Sequence, residues 1–291
     1  MDYLHGMLVS DDWQVIAHSS KKHGVAELLG IHARLLASHT AYQGMIDDYH
    51  DAVQSSTLTA NEKKLLIDFY ESPPSALKKL IQKRRNDHGL DCCPYCGYPY
   101  APDTLDHFMP KDEWPEFAFL PNNLIPQCRG CAPIKGSFYY CPDSASCLFV
   151  HPIYSDLISI VRIQISITSV SEYDRPIFAV SCIVGSAKAE DLKRVTRHLK
   201  SVKFKSRVET YCIREFLHIK RQLKRKAFNI RLFLEAVVNK RSSSDGTSVD
   251  WECALYRGIL LNNPLMSYLG SLKPATVVVI PTVMTEVALE D

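Results

Sequence analysis

Residues 93–136 read CPYCGYPYAPDTLDHFMPKDEWPEFAFLPNNLIPQCRGCAPIKG, and this stretch decides the fold. It contains two Cys-x-x-Cys pairs, Cys93/Cys96 and Cys128/Cys131, with thirty-one residues between them. Each pair spans one knuckle turn that directs two sulfurs at the same ion, so two pairs can present four thiolates to one tetrahedral Zn²⁺. Little else stabilises so short a module, and the sequence therefore predicts a fold held together by structural zinc.

Six further cysteines leave the choice of ligands open at this point. Cys92, Cys141 and Cys147 lie close enough in sequence to replace one of the four, whereas the other three are scattered along the chain. The grouping into pairs favours metal ligation over disulfides. A redox role for the Cys-x-x-Cys turns has little support, because no thioredoxin-like βαβ pattern surrounds either pair.

Two short strands and a helix are predicted between and after the cysteine pairs. Residues 104–107 and 123–127 suit strands, and the loop between them is rich in proline. Residues 129–138 suit the start of a helix. The predicted order is strand, loop, strand, helix, and a hairpin of this size fits between the two knuckles.

Four motifs of this stretch resemble the HNH endonuclease family, also called ββα-metal or His-Me finger nucleases. They are CPYCG at 93–97, LDHFMPK at 105–111, NNLIPQCRGC at 122–131 and Lys135-Gly136, and they cover about a sixth of the chain. Two further short motifs are similar to HNH effectors of bacterial anti-phage defence systems of the Septu type and of some retrons. They are His151-Pro152-Ile153-Tyr154 and Trp251 with Ala254-Leu255-Tyr256. That narrower likeness implies an ATPase partner.

The resemblance implies a role for each polar residue between the knuckles. His107 would be the general base, since a neutral imidazole can take a proton from water. Asp106 would be a ligand for a catalytic Mg²⁺ or Mn²⁺. Asn123, or in another register Asn122, would tie the hairpin loop and orient the histidine.

Two further side chains are weaker candidates for substrate contacts. Lys135 could approach the phosphate as a point charge, or it could simply face solvent. His151 could touch the substrate, or it could be a buried structural histidine.

The chain departs from the family at Ala132. The family usually has Asn or His directly after the last cysteine, and that side chain completes the protein's share of the catalytic metal site. Alanine cannot coordinate an ion, which leaves three explanations: a naturally degenerate site, a substitute ligand from elsewhere, or a deliberate inactivation. With Asp106 alone supplying charge, we expect this chain to cleave weakly or not at all.

The flanking sequence predicts an α+β protein of three segments. Residues 1–90 carry helical periodicity, with a capping box at Thr59-Ala-Asn-Glu62. Residues 91–155 hold the zinc-bound HNH module. Residues 156–291 begin with a β-hairpin over 158–184, continue as basic helices and end in an apolar tail over 274–281 that we expect to pack on the protein's own core.

Positive charge is concentrated in the C-terminal segment. Residues 187–241 contain seventeen Lys and Arg against five Asp and Glu, whereas the whole chain is only +2. The densest run holds the candidate nucleic-acid contacts Lys220, Arg221, Lys224 and Arg225. Such a run attracts polyanions in a salt-dependent way, although a merely solvated helix face is an equal explanation.

Composition restricts the remaining choices. The apolar share of 46% and the charged share of 23% are ordinary for a soluble globular protein. Neither a signal-peptide pattern nor an apolar run of bilayer length is present in the sequence. We therefore expect a cytoplasmic protein without a membrane partner.

Two hypotheses from different classes follow from these observations. The first is a metal-dependent HNH endonuclease of a defence complex, acting on DNA as the resemblance favours, or on RNA, including tRNA. The second is a catalytically inactive zinc module that binds nucleic acid or scaffolds a complex. Ala132 favours the second, and the retention of Asp106, His107 and Asn123 favours the first.

Overall fold

The computed structural model describes residues 1, 3–10, 13–168, 176–185, 187–242, 248–272 and 274. Within them the chain folds as helices and three small two-stranded sheets, which is the predicted α+β class. The apolar tail over 275–281 and the turn of the predicted C-terminal hairpin lie outside the described residues. None of the described helices combines the length and apolarity that crossing a bilayer requires.

Among the described residues, five α-helices precede the first cysteine pair, in the N-terminal segment that is predicted to be helical. They are α1 (Trp13–His18), α2 (Val25–Gly30), α3 (His32–Asp47), α4 (Ala60–Glu71) and α5 (Ser75–Asn86). The predicted capping box begins α4: the Thr59 hydroxyl accepts from the Glu62 amide, and the Glu62 carboxylate accepts from the Thr59 amide. These helices bury a core of their own that also receives Phe119 and Leu124 of the cysteine-bearing segment.

The cysteine-bearing segment forms the predicted strand, loop, strand and helix. Strands β1 (Thr104–His107) and β2 (Leu124–Gln127) pair antiparallel, with His107 opposite Leu124. Helix α6 (Ala132–Lys135) is shorter than the predicted 129–138, because the backbone turns at Gly136, whose φ of +49° suits glycine. A small ribbon of β3 (Tyr140–Cys141) and β4 (Ser146–Cys147) follows.

The C-terminal segment is the predicted hairpin followed by helices. Strands β5 (Val161–Thr168) and β6 (Ile177–Val184) pair antiparallel over their full length. The helices are α7 (Ala189–Ser201), α8 (Phe204–Arg225), α9 (Ile230–Arg241), α10 (Trp251–Leu261) and α11 (Asn263–Ser271). The main hydrophobic core takes side chains from all three segments, including Tyr42, Phe108 and Phe216. The hairpin with the cysteines is therefore enclosed by the flanking helices.

Candidate functional site

Four buried cysteines meet at the end of the β1–β2 hairpin. The Sγ atoms of Cys93, Cys96, Cys128 and Cys131 all lie within 4.8 Å of one another. The Sγ atoms of Cys96 and Cys128 are 3.8 Å apart, which is the edge of about 3.8 Å expected for a tetrahedron with Zn–S bonds of about 2.3 Å. This group can hold a structural zinc ion, and it contains none of the three competing cysteines.

The thiols depend on one another in the absence of a metal. Burial raises the pKa of Cys96, whereas hydrogen bonds, first from Cys131, lower the pKa of Cys128. Hydrogen bonds from Cys131 and Cys96 also lower the pKa of Cys93, and four buried thiolates together need a cation. A divalent metal supplies that charge and deprotonates the ligands.

Two residues of the C-terminal segment close over the cysteines. Arg207 of α8 donates from Nη1 to Cys131 Sγ at 3.1 Å, and its Nη2 is 3.6 Å from the Sγ atoms of both Cys96 and Cys128. The Trp251 indole donates to the Cys96 carbonyl. The guanidinium offsets the charge of a zinc tetrathiolate, and such outer contacts orient the ligands.

His107 ends β1 with one ring nitrogen fixed. Its Nε2 lies 2.8 Å from the Ala118 carbonyl oxygen, which requires the proton on Nε2 and leaves the lone pair on Nδ1. The Tyr70 ring packs edge-on against the imidazole with centroids 4.3 Å apart. Burial lowers the pKa of His107 to about 4. The imidazole is therefore neutral at cellular pH with a lone pair on Nδ1, and the lowered pKa makes it a weaker base than a free imidazole.

Asn123 ties the loop that follows His107. Its Oδ1 accepts from the Met109 amide at 2.8 Å and from the Tyr42 hydroxyl at 2.7 Å. Its Nδ2 donates to the Met109 and Phe117 carbonyls, both at 3.0 Å. Every hydrogen-bonding atom of the amide is used, and the side chain is fully buried. Neighbouring Asn122 instead bonds the backbone of Val9, so the structure favours Asn123 as the residue that holds the loop.

Asp106 is buried and already paired. Its Oδ2 accepts from the Tyr95 hydroxyl at 2.8 Å and lies 3.1 Å from Lys135 Nζ. Burial raises the pKa of Asp106, and the Lys135 ammonium opposes this shift. The same ammonium donates to the carbonyls of His107 and Phe108.

The donor set at Asp106 does not form a ready site for Mg²⁺ or Mn²⁺. These cations prefer several oxygen ligands, yet Asp106 supplies one carboxylate that is bonded to an ammonium, and Ala132 adds none. Apart from the four cysteines, the part of the chain that the structure describes holds no cluster of three His, Cys, Asp or Glu ligand atoms. The predicted hard-cation site therefore lacks its second donor.

The structure corrects the expected position of two lysines. Lys135 is only 1% exposed, so it neither faces solvent nor reaches a phosphate from outside. Lys220 is 7% exposed, and its ammonium lies over the rings of Phe216 and Tyr268. Helix geometry explains the burial of both lysines, because the side chains of consecutive residues in a helix point in different directions. The remaining three candidate contacts, Arg221, Lys224 and Arg225, are exposed.

His151 and His198 are buried structural histidines. The Ile153 amide donates to His151 Nδ1, and His151 Nε2 contacts the Tyr42 hydroxyl at 3.3 Å. The same hydroxyl donates to Asn123 Oδ1, so His151 helps to position Asn123 through Tyr42. In α7, His198 Nδ1 accepts from the Val150 amide, and Nε2 donates to the Tyr95 carbonyl at 2.7 Å. Burial lowers the pKa of His198 to about 4.

Acid should destabilise the protein through His198. Its pKa in the folded chain is below the unfolded value of about 6.5, so the unfolded chain binds more protons between these values and stability falls as pH falls. We expect His198 to account for a loss of about 3 kcal/mol between pH 6.5 and 4. Urea unfolding at several pH values checks this: the stability gap between wild type and His198→Gln should narrow with acid. A gap that is constant with pH contradicts a buried neutral His198.

Several partners of the site carry no signal in the sequence. Tyr42, Arg207 and His198 contact the site from positions far away in the chain. They occur in no recognisable motif, so nothing in the sequence marks them. Tyr95 lies inside the CPYCG motif and Trp251 belongs to the family-like motif near the C-terminus, but the sequence does not show that Tyr95 donates to Asp106.

Comparison with known proteins gives one short match. No protein-family model matches the chain, and no solved structure matches it. A segment of 39 residues is 46% identical to Protein ea31 of Escherichia phage lambda, and it covers 13% of this chain and 13% of that protein. Because the match spans so small a part of either chain, it identifies neither the fold nor the activity of the whole protein.

Proposed function

We propose that this chain is an HNH-type nuclease whose general base is His107. The observation that carries the proposal is the state of the imidazole. It is neutral, its Nε2 proton is held by the Ala118 carbonyl, and Nδ1 keeps its lone pair. The loop tied by Asn123 holds that carbonyl in place, and the cysteine cluster anchors the other end of the hairpin.

The proposed reaction is hydrolysis of a phosphodiester bond, with DNA favoured over RNA by the resemblance. A water oxygen bonds to phosphorus while its proton passes to His107 Nδ1, and the bond from phosphorus to the leaving nucleotide oxygen breaks. The leaving oxygen takes a proton from solvent water, and His107 Nδ1 then returns its proton to solvent. General-base catalysis of this kind contributes about 10²- to 10⁴-fold. Zinc at the four cysteines would hold the site without touching the substrate.

Positive charge near His107 comes from two lysines. The Lys135 ammonium is buried and is paired with Asp106, the residue before the histidine. Lys111 is more accessible, and it pairs with the exposed carboxylates of Glu71 at 2.9 Å and Asp112 at 3.3 Å. Exposed pairs of this kind are weak, so a phosphate can compete for the Lys111 ammonium. A divalent cation, by contrast, has to compete with Lys135 for Asp106.

Cleavage assays with Mg²⁺ or Mn²⁺ test the proposal. We expect weak or no cleavage of plasmid DNA by the wild type and greater cleavage by Ala132→Asn, because the resemblance implies that a side chain at this position supplies the second donor of the catalytic metal site. In the Ala132→Asn background, His107→Ala should reduce the rate by about 100-fold or more. His23→Ala, which removes an exposed histidine, is the matched control and should leave the rate unchanged. Zinc content and unfolding temperature verify that each variant is folded.

The opposite result would support the inactive zinc module. Its specific support is that Asp106 is bonded to Lys135 and that position 132 offers no ligand. If Ala132→Asn gains no activity on DNA, RNA or tRNA while the fold and nucleic-acid binding are intact, the enzyme proposal fails. A cleavage rate that His107→Ala leaves unchanged would also contradict it.

A further inference from the structure

A cleft of about 850 Å³ runs between helix α8 and the cysteine knuckles. One wall is a stripe of α8 made of Arg207, Tyr211, Arg214, His218 and Arg221, which we call the α8 stripe. Successive members are three or four residues apart, so they lie on one face of the helix. The stripe extends over about 21 Å at 1.5 Å per residue.

The opposite wall belongs to the zinc-knuckle segment. It contains Tyr98, Tyr100, Asp103, Arg129 and Gly130. A Cβ atom at Gly130 would lie 2.6 Å from Arg207 Nη2, so glycine permits the close approach of the two walls. The cleft is therefore built jointly by α8 and the knuckle, and it depends on both being folded.

Arginines outnumber carboxylates in the lining of this cleft, with Arg129, Arg207, Arg214 and Arg221 against Asp103 and Glu215. Arg214 and Arg221 are exposed, and neither forms a salt bridge with a carboxylate of the described residues. Arg129 pairs at 2.6 Å with Asp103, but both side chains are more than half exposed, which makes the pair weak. Arg207 donates to Cys131 Sγ and offsets part of the negative charge of a metallated cysteine cluster, whose member Cys128 also lines the cleft.

Aromatic rings line the same cleft. Tyr98 packs against Tyr100 and Trp251, with ring centroids 5.2 Å away in both cases. Tyr100 is 60% exposed, so much of its ring is open to solvent. A duplex offers mainly phosphates to such a surface, whereas a single strand also offers base faces that stack on aromatic side chains.

We propose that this cleft binds a single-stranded segment of nucleic acid, with phosphates on Arg214 and Arg221 and a base stacked on Tyr100. The inference rests on the proposed function, since it identifies where the substrate strand lies. Asp103, which lines the cleft, directly precedes β1, and His107 is the last residue of β1. At roughly 3.3 Å per residue, the two residues are about 13 Å apart along β1. A nucleic-acid strand bound in the cleft can thus continue toward the imidazole.

Binding without turnover tests the inference separately from catalysis. Fluorescence anisotropy would follow a labelled oligothymidylate on the full chain carrying His107→Ala, with no divalent cation added. Arg214→Glu/Arg221→Glu should weaken binding at least tenfold and reduce its dependence on salt. Lys200→Glu/Lys205→Glu is the matched control, because it makes the same change of charge at two exposed positions that do not line the cleft. The control should change affinity less than threefold.

Tyr100→Ala distinguishes a single strand from a duplex. It should weaken oligothymidylate binding about fivefold or more, as loss of a stacked base does, and leave binding of duplex DNA unchanged. The inference is overturned if the control double variant weakens binding as much as the stripe variant, or if Tyr100→Ala has no effect on the single strand. If Ala132→Asn gains no cleavage activity while the expected binding pattern is observed, the proposed nuclease is refuted and the cleft assignment is kept.

Discussion

Cys128→Ser should abolish stoichiometric zinc binding and leave the chain unable to fold stably. The wild type should carry one zinc ion, bound by the four sulfurs that lie within 4.8 Å of one another. Structural zinc contributes about 10–16 kcal/mol in small domains, which is as large as the whole stability of a typical protein at about 5–15 kcal/mol. Losing one thiolate should lower the unfolding temperature by about 10 °C or more.

Metal analysis and thermal unfolding of matched variants check this prediction. Cys141→Ser removes a thiol from the same module but from outside the cluster, so it should keep the zinc and the unfolding temperature of the wild type. Retention of zinc by Cys128→Ser would show that another ligand completes the site. Loss of zinc from Cys141→Ser would show that the cluster has a different membership in solution.

Lys135→Met should destabilise the protein by about 3–5 kcal/mol, the usual effect of removing one partner of a buried ion pair. The side chains of Lys135 and Asp106 are 1% and 8% exposed, so water cannot replace the ammonium beside the carboxylate. Lys135 also donates to two backbone carbonyls that would lose their partner. The variant should regain stability relative to wild type as pH falls, because protonation of Asp106 removes the unpaired charge.

A double-mutant cycle measured by urea unfolding isolates this pair. Lys135→Met/Asp106→Asn should be more stable than Lys135→Met alone, since the amide carries no charge to bury. Lys111→Met is the matched control: its partners Glu71 and Asp112 are exposed, and its loss should cost less than about 1 kcal/mol. Equal costs for the two lysines would contradict a strong buried pair.

Local features of the fold were predictable because they depend on neighbouring residues. The capping box at Thr59, the helix from Ser75 and the hairpin of β5 and β6 follow from propensity and hydrophobic periodicity over a few residues. The cysteine cluster was predictable for a related reason. Each Cys-x-x-Cys turn supplies two of the four zinc ligands by itself, so the site is complete once the two turns lie next to each other.

Side-chain partners from distant segments were not predictable. Consecutive basic residues of α8 lie on different faces of the helix. Arg221 lines the cleft, whereas Lys220 is buried against the ring of Tyr268 in α11. Which face is buried depends on the helices that pack there, and charge alone does not encode it. Arg207 reaches the cysteines for the same reason, although it is seventy-six residues beyond Cys131.

Short-range patterns in the sequence were enough to predict the α+β class, the four cysteines that can hold zinc, and the presence of Asp106, His107 and Asn123 on one hairpin. Those features arise from residue spacing, which sets where two sulfurs or two strands can meet. Three other features appear only in the folded chain: Lys135 is bonded to Asp106, His107 keeps its lone pair on Nδ1, and α8 and a knuckle form a cleft. Burial and pairing of charges depend on every element packed around them, and that environment exists only once the chain has folded.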